Sequence, residues 1–112
     1  MSRDLSRGDV PTLILTVLAD GNCHGYAIAR EIERKSGQLF QMREGALYPA
    51  LRVLEQDSFV EGQWEVQPSG PARKVYVLTK AGHEELARRK AEWNTYVETF
   101  NRVLGGPNVQ TT

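Results

Sequence analysis

The sequence predicts a mainly α-helical fold with a small β-hairpin and a long C-terminal helix. Apolar residues recur at helical spacing through the first half, alternate with polar residues in one later segment, and follow a heptad near the end. The length of 112 residues suits one globular domain, and 40% hydrophobic residues are too many for a disordered chain.

The composition excludes several classes of protein and predicts a cytoplasmic location. No segment approaches the ~20 apolar residues that span a bilayer, and the N-terminal residues lack the apolar stretch of a signal peptide. Cys23 is the only cysteine, which excludes an internal disulfide and a four-thiolate zinc site and suits a reducing compartment. We therefore expect no membrane segment, no metal and no other cofactor.

The first helix is expected over about residues 8–19. Its apolar residues fall at positions i, i+3, i+4, i+7 and i+8: Val10, Leu13, Ile14, Val17 and Leu18. Asp9 can cap this helix, and Pro11 is tolerated in a first turn. A second face carries Thr12, Leu15 and Thr16, so we expect Leu15 to need a partner outside its own domain.

Two further helices are expected over about residues 24–35 and 44–56. The inner face of the third helix consists of Leu47, Ala50, Leu51 and Leu54. The opposite arc carries Gly45, Tyr48, Pro49, Arg52 and Gln56. An aromatic side chain and an arginine on a solvent arc indicate contact with another molecule. Because Pro49 cannot donate a hydrogen bond to Gly45, we expect a tight or irregular first turn, the alternative being a regular helix that begins at Tyr48.

A β-hairpin and a long helix complete the predicted fold. Residues 59–66 alternate between apolar and polar, and residues 74–78 are rich in β-branched and aromatic side chains. Thr79 then caps a helix that runs to about Leu104. Large side chains form a heptad-like seam along it: Leu86, Trp93, Tyr96, Phe100 and Val103.

Three helices followed by a hairpin are the arrangement of a winged helix-turn-helix, whose third helix can enter the major groove of DNA. We assign residues 1–78 to this DNA-binding domain and residues 79–104 to a C-terminal dimerisation helix. Residues 105–112 are expected to form a flexible tail, because they carry too little apolar surface to dock.

Four strings of residues resemble motifs of the PadR family of transcriptional regulators. Residues 20–28 read DGNCHGYAI and resemble the family's entry to its second helix. Residues 44–51 read EGALYPAL and are similar to its recognition-helix motif, and residues 73–82 read RKVYVLTKAG, like its exit from the wing. Glu92 and Trp93 resemble the Trp-bearing last helix of the family's short-chain branch.

This resemblance implies a homodimer of winged-helix protomers that acts as a ligand-responsive transcriptional repressor. For the short-chain, multidrug-sensor-like branch it also implies that flat aromatic compounds bind between the protomers. Two departures stand out. Ser58 occupies a position where the family often has Gly, and the wing at residues 70–74 carries fewer basic residues than in many relatives, so we expect weaker wing contact with DNA.

The position of the charges supports a double-stranded DNA operator as the partner, although 14 basic and 14 acidic residues balance overall. Residues 30–52 carry five basic against three acidic groups (+2), and residues 66–82 carry three basic groups and no acid (+3). The intervening residues 53–65 hold four acidic groups (−4). The predicted DNA-binding residues are Arg43, Gly45, Ala46, Tyr48, Pro49, Arg52, Gly70, Arg73 and Lys74.

The seam of the last helix predicts both a homodimer and an effector site. The predicted dimer interface consists of Leu15, Leu86, Trp93, Tyr96, Phe100 and Val103. Aromatic residues pack loosely across a two-fold axis and leave gaps that suit a planar aromatic effector. The predicted effector site consists of Thr12, Leu15, Thr16, Trp93 and Val97. The alternative is a closed aromatic core without a ligand.

Other chemistries find little support in the sequence. No nucleophile elbow, P-loop or zinc-protease string occurs, so we expect no enzyme activity. Cys23 precedes a helix start, where a lowered thiol pKa would suit a redox sensor, but a structural role is favoured, as it is for His24. Two alternative functions remain open: a winged-helix module for protein–protein contact, and a dimer that binds small molecules without regulating DNA.

Overall fold

A computed structural model of the protein describes residues 3–4 and 8–105, and its core is built around helix α1 (Val10–Asp20). This helix contacts α2 (Gly25–Lys35), α3 (Glu44–Gln56) and α4 (Lys80–Leu104) as well as a β-hairpin. Asp9 occupies the N-cap position of α1 without a capping hydrogen bond from its side chain, and Pro11 lies in the first turn.

The prediction that Leu15 lies in the dimer interface and in the effector site is wrong. Leu15 is 0% exposed, as is Ile14 on the predicted inner face, whereas Leu13 is only partly buried. The physical reason is that α1 is covered on more than one side, because α4 and the hairpin pack against it in addition to α2 and α3. Leu15 therefore belongs to the core of the protomer and to neither the dimer interface nor the effector site.

The predicted hairpin is confirmed and gains a third strand. Strand β4 (Val60–Glu65) pairs antiparallel with β5 (Arg73–Leu78), and β5 also pairs with the two-residue strand β2 (Cys23–His24). The hairpin register places Gly62 opposite Tyr76 and Trp64 opposite Lys74. Two further short strands, β1 (Arg3–Asp4) and β3 (Phe40–Gln41), pair in parallel.

The junction between α3 and the hairpin explains how α4 is positioned. Ser58 has a φ of 65°, so it adopts the left-handed conformation that ends the helix although it is not Gly. The Thr79 hydroxyl donates to the carbonyl of Ser58 (2.7 Å) and accepts from the backbone N–H of Gly82 (2.9 Å), which confirms the predicted cap. A Cβ at Gly82 would lie 2.0 Å from the carbonyl oxygen of Phe59, so α4 packs directly on the hairpin backbone there.

Helix α4 is anchored only near its start. Leu86 is 5% exposed and joins the common core, so its predicted place in the dimer seam is wrong. Beyond Leu86 most side chains of the helix are exposed. Gly105 ends the helix with a φ of 78°, and the remainder of the predicted tail lies outside the described residues. Within the part of the chain that the structure describes, no helix is long and apolar enough to cross a membrane.

Candidate nucleic-acid interface

The exposed arc of α3 is the centre of the candidate interface. Leu47, Leu51 and Leu54 are each 1% exposed and hold the helix against the core. The predicted opposite arc is exposed along its whole length: Gly45, Tyr48, Pro49, Arg52 and Gln56. The arc that the helical wheel predicted to face solvent is therefore confirmed to be exposed.

Helix α3 begins with a tight first turn. The N–H groups of Ala46 and Leu47 both donate to the carbonyl of Arg43, each at 3.0 Å. The helix is continuous from Glu44, so the alternative that the regular helix begins at Tyr48 is wrong. Apart from the neighbouring residues and backbone of α3 itself, no atom lies within 4 Å of the Cβ position of Gly45, which leaves this turn open to close approach.

Tyr48 is exposed on one side and packed on the other. Its side chain is 40% exposed, while a Cβ at Gly25 would lie 2.8 Å from the Tyr48 hydroxyl and from its Cε1. The ring thus rests on the first residue of α2, and this contact requires Gly25. The helical wheel alone placed this ring on the solvent arc of α3. In the structure the ring lies at the edge of that arc, because it packs against α2.

The two arginines of α3 differ in their surroundings. Arg52 is exposed and makes no hydrogen bond or ion pair with another described residue, so its guanidinium is available to a partner. Arg43 occupies the N-cap position of α3, and its Nη2 lies 3.4 Å from Oε1 of Gln41.

Both basic residues of the wing are paired with carboxylates. Arg73 contacts Glu65 across the hairpin (Nε to Oε1, 3.2 Å), and Lys74 contacts Glu55 of α3 (Nζ to Oε1, 3.0 Å). Gly70, in the loop between the strands, has a φ of 85°. The positive charge that the sequence predicted for the wing is therefore largely matched by neighbouring acids, and the Lys74 pairing counts against this residue as a ready phosphate ligand.

Tyr26 and Arg30 form a pair that the sequence analysis missed. Tyr26 is 59% exposed and follows Gly25, on which the ring of Tyr48 rests. The Arg30 guanidinium carbon lies 5.8 Å from the centre of the Tyr26 ring, and Nη1 donates to the Tyr26 hydroxyl at 3.3 Å. The i, i+4 spacing of the two residues was the signal that could have identified the pair.

Helix α4 carries an exposed aromatic face, defined by Trp93, Tyr96 and Phe100. The ring centres of Trp93 and Tyr96 are 5.9 Å apart, as are those of Tyr96 and Phe100. These side chains are 50–58% exposed, and Val103 is 84% exposed. A cluster of exposed large apolar side chains on a single protomer is typical of an interaction surface.

A groove of about 960 Å³ runs between α1 and α4. It brings together three of the predicted effector-site residues, Thr12, Thr16 and Trp93, while Leu15 and Val97 do not line it. Arg89 also lines the groove, and its Nη1 lies 3.3 Å from the hydroxyl oxygen of Thr12. The groove therefore combines aromatic, hydroxyl and cationic groups.

The half-buried position of Cys23 opposes a redox role. Burial and the nearby charge of Glu31 raise the pKa of the Cys23 thiol, the reverse of the shift that a reactive thiolate requires. Among the described residues there is no group of three or more His, Cys, Asp or Glu side chains that could hold a metal.

The chain is similar to known regulators of transcription. The model of the "Transcriptional regulator PadR-like family" matches residues 14–88. Transcriptional regulator Rv3488 of Mycobacterium tuberculosis is 35% identical over 106 residues, which cover 93% of this chain and 91% of that protein. The negative transcriptional regulator PadR of Bacillus subtilis is 30% identical over 73 residues, which cover 65% of this chain and 40% of that protein.

Solved structures agree with these matches. The crystal structure of a PadR family transcription regulator from Clostridium difficile has a TM-score of 0.76 and 32% identity, and the match covers 87% of this chain and 99% of that one.

Proposed function

The chain belongs to the PadR-like family of transcriptional regulators, and from this premise we propose that it is a homodimeric, ligand-responsive repressor that binds a pseudo-palindromic DNA operator. Regulators of this family bind DNA and are generally dimeric. The observation that carries the proposal is the exposed arc of α3, which presents Tyr48 and the unpaired Arg52, while the leucines on the opposite face are buried in the core.

The groups on this arc match the chemistry of a major groove. An arginine can donate two hydrogen bonds to the edge of a guanine, and a tyrosine ring can contact a thymine methyl group. The open backbone at Gly45 allows α3 to approach the duplex closely. Base-edge contacts from this arc would supply sequence specificity.

The aromatic face of α4 supports the homodimer. Trp93, Tyr96 and Phe100 are half exposed on one protomer, and a second copy that packs on them would remove them from water. A two-fold axis between two such helices repeats α3 on both sides, so the half-sites should be about one helical turn (~34 Å) or a multiple of it apart.

The groove between α1 and α4 supports a planar aromatic effector. Trp93 belongs to both the groove and the aromatic face, so a ligand that stacks on its indole would also contact the dimer interface. A ligand that binds better when the two α3 helices have a separation that does not match the half-sites reduces the affinity for DNA, because the two binding events are coupled. A coupling free energy of ~1–3 kcal/mol is sufficient to release the operator. The direction of regulation follows that of the B. subtilis relative, a negative regulator.

The test is an electrophoretic mobility shift with DNA from upstream of the protein's own gene. We expect a dimer-sized complex whose affinity falls when the spacing of the half-sites is changed by half a turn. Tight binding by a monomer, or affinity that ignores the spacing, would contradict the proposal. If no duplex is bound although planar dyes are, the protein is a small-molecule-binding dimer instead.

A further inference from the structure

An ion pair between Lys74 of the hairpin and Glu55 of α3 holds the Lys74 ammonium group against α3 and away from the solvent-facing surface of the wing. The Lys74 ammonium lies 3.0 Å from Oε1 of Glu55, and the two side chains are only 31% and 32% exposed. The same ammonium lies 5.4 Å from the centre of the Tyr76 ring. The Lys74 side chain is therefore directed towards α3, and its charge is satisfied by the protein itself.

A glycine opens the path that this side chain follows. A Cβ at Gly62 would lie 2.1 Å from Cε of Lys74 and 2.8 Å from Oε2 of Glu55. Gly62 lies inside strand β4, where glycine is unfavourable because it adds flexibility and packs nothing. Gly62 therefore has a specific role: the absence of a side chain there lets the Lys74 side chain cross β4 and reach Glu55.

The position of Lys74 leaves it close to an exposed part of the wing. Residues that face one another across antiparallel strands point to the same side, so Lys74 shares a face with Trp64, its partner in the register. Trp64 is 70% exposed. A Lys74 side chain released from Glu55 would therefore extend into solvent beside Trp64, where a DNA phosphate could bind it.

We propose that Glu55 is a positioning residue that withholds Lys74 from DNA phosphates and thereby limits the wing's share of the affinity. The inference rests on the proposed DNA binding. Glu55 and a phosphate compete for one ammonium group, and the half-buried pair, supported by the Tyr76 ring, favours Glu55. The exposed pair between Arg73 and Glu65 is a weaker competitor, since both of its side chains are about half exposed.

The experiment measures DNA binding by Glu55→Gln at several salt concentrations on operator and scrambled duplexes. We expect affinity to rise about three- to tenfold on both, because a phosphate contact carries no sequence information, and the salt slope to steepen by about 0.9. Glu61→Gln is the matched control, because Glu61 is an exposed carboxylate on the same hairpin without an ion pair to a described residue. Its effect should stay below about twofold, the level of a general change in charge.

Two further variants test whether Glu55 acts through Lys74. The gain from Glu55→Gln should vanish in a Lys74→Gln background. Gly62→Ala keeps both charges but places a methyl group on the path of Lys74, so it should raise affinity and salt slope in the same direction. This variant provides the test if Glu55→Gln fails to fold.

Four outcomes would overturn the inference: weaker binding by folded Glu55→Gln, an effect of Glu55→Gln no larger than that of Glu61→Gln, a gain that persists without Lys74, or weaker binding by Gly62→Ala. If the wild-type protein binds no duplex at all, the proposed function itself fails, which is a separate result.

Discussion

Tyr48 is the residue on which the candidate interface most depends. Its ring is fixed by contact with Gly25, yet 40% of it remains exposed. A side chain that is already ordered loses less conformational freedom on binding, so the proposed contact of Tyr48 with a base would contribute more to affinity. The glycine at position 25 is therefore explained by its contact with Tyr48 of α3, which lies more than twenty residues further along the chain.

Substitutions on α3 and on the wing should separate specific from general binding. We expect Tyr48→Ala and Arg52→Ala to cost about 1–3 kcal/mol on the operator and little on scrambled DNA, because base-edge contacts discriminate between sequences. Arg73→Ala should weaken both equally and reduce the salt slope by about one unit. The measurement is a titration of both duplexes at several salt concentrations. Equal losses on both duplexes for Tyr48→Ala would contradict its assignment.

Ser58 adopts a backbone conformation that suits glycine better. At a φ of 65° the Cβ of Ser58 comes close to the following carbonyl oxygen, which strains the backbone. Ser58→Gly removes this contact and should raise the free energy of unfolding by about 0.5–1 kcal/mol. Asp57→Gly is the control, since Asp57 has an ordinary φ of −83° and should lose stability. Urea denaturation of both variants measures the difference. A Ser58→Gly protein less stable than wild type would show that the Ser58 side chain stabilises the turn.

At the scale of elements, the start of α4 is held by a network of charges as well as by Leu86. Glu85 accepts hydrogen bonds from Arg88 (Nη2 to Oε2, 2.6 Å) and from Arg89 (Nε to Oε2, 2.6 Å). Arg89 also reaches Thr12 of α1. The network therefore connects the long helix to the groove, and it involves a carboxylate whose side chain is only 11% exposed.

The network makes part of the stability dependent on pH. The hydrogen bond from Arg88, followed by that from Arg89, lowers the pKa of Glu85 from 4.5 to about 2. Because the folded-state pKa is the lower one, this stabilisation is complete above about pH 4.5 and is lost as the pH falls towards 2. Glu85→Gln should lower the free energy of unfolding by about 1–2 kcal/mol at pH 6, and the difference from wild type should shrink on acidification.

Urea midpoints at pH 6, 4 and 3 measure this dependence. Glu84→Gln is the control, because Glu84 is exposed and makes no ion pair with a described residue. A constant difference between Glu85→Gln and wild type across this range would contradict the role of the network.

At the scale of the whole molecule, we expect the aromatic face of α4 to form the interface of the proposed dimer. We expect Phe100→Glu to convert the proposed dimer into monomers, because Phe100 is 50% exposed on one protomer and a charge there would lie within the apolar contact between the two copies. Ala91→Glu adds the same charge on the opposite side of the helix and should leave the dimer intact. Sedimentation velocity distinguishes the two states. A dimeric Phe100→Glu protein would place the interface elsewhere.

The effector site should depend on Trp93 in the same assembly. We expect planar dyes to quench the fluorescence of Trp93 and to lose most of their affinity for Trp93→Ala, because the indole supplies the stacking surface. Trp64, which lies on the hairpin away from the groove, is the internal control for fluorescence. Undiminished dye binding by dimeric Trp93→Ala would show that any effector site lies elsewhere.

The sequence by itself determined the features that depend on local periodicity. The bounds of α2, α3 and the hairpin, the Thr79 cap and the exposed arc of α3 all follow from residues within one or two turns of one another, where geometry is set by the backbone repeat. The function was inferred from the strings that resemble the PadR family, because hydrophobic periodicity carries no information about function.

Only the tertiary structure decided which elements meet. It placed Leu15 and Leu86 in the protomer core, paired Lys74 with Glu55, and laid Tyr48 on Gly25. These contacts join residues far apart in the chain, and a helical wheel cannot say how many sides of a helix will be covered. Strand β2 was missed for the same reason: two residues show no alternation, and they form a strand only because β5 lies beside them.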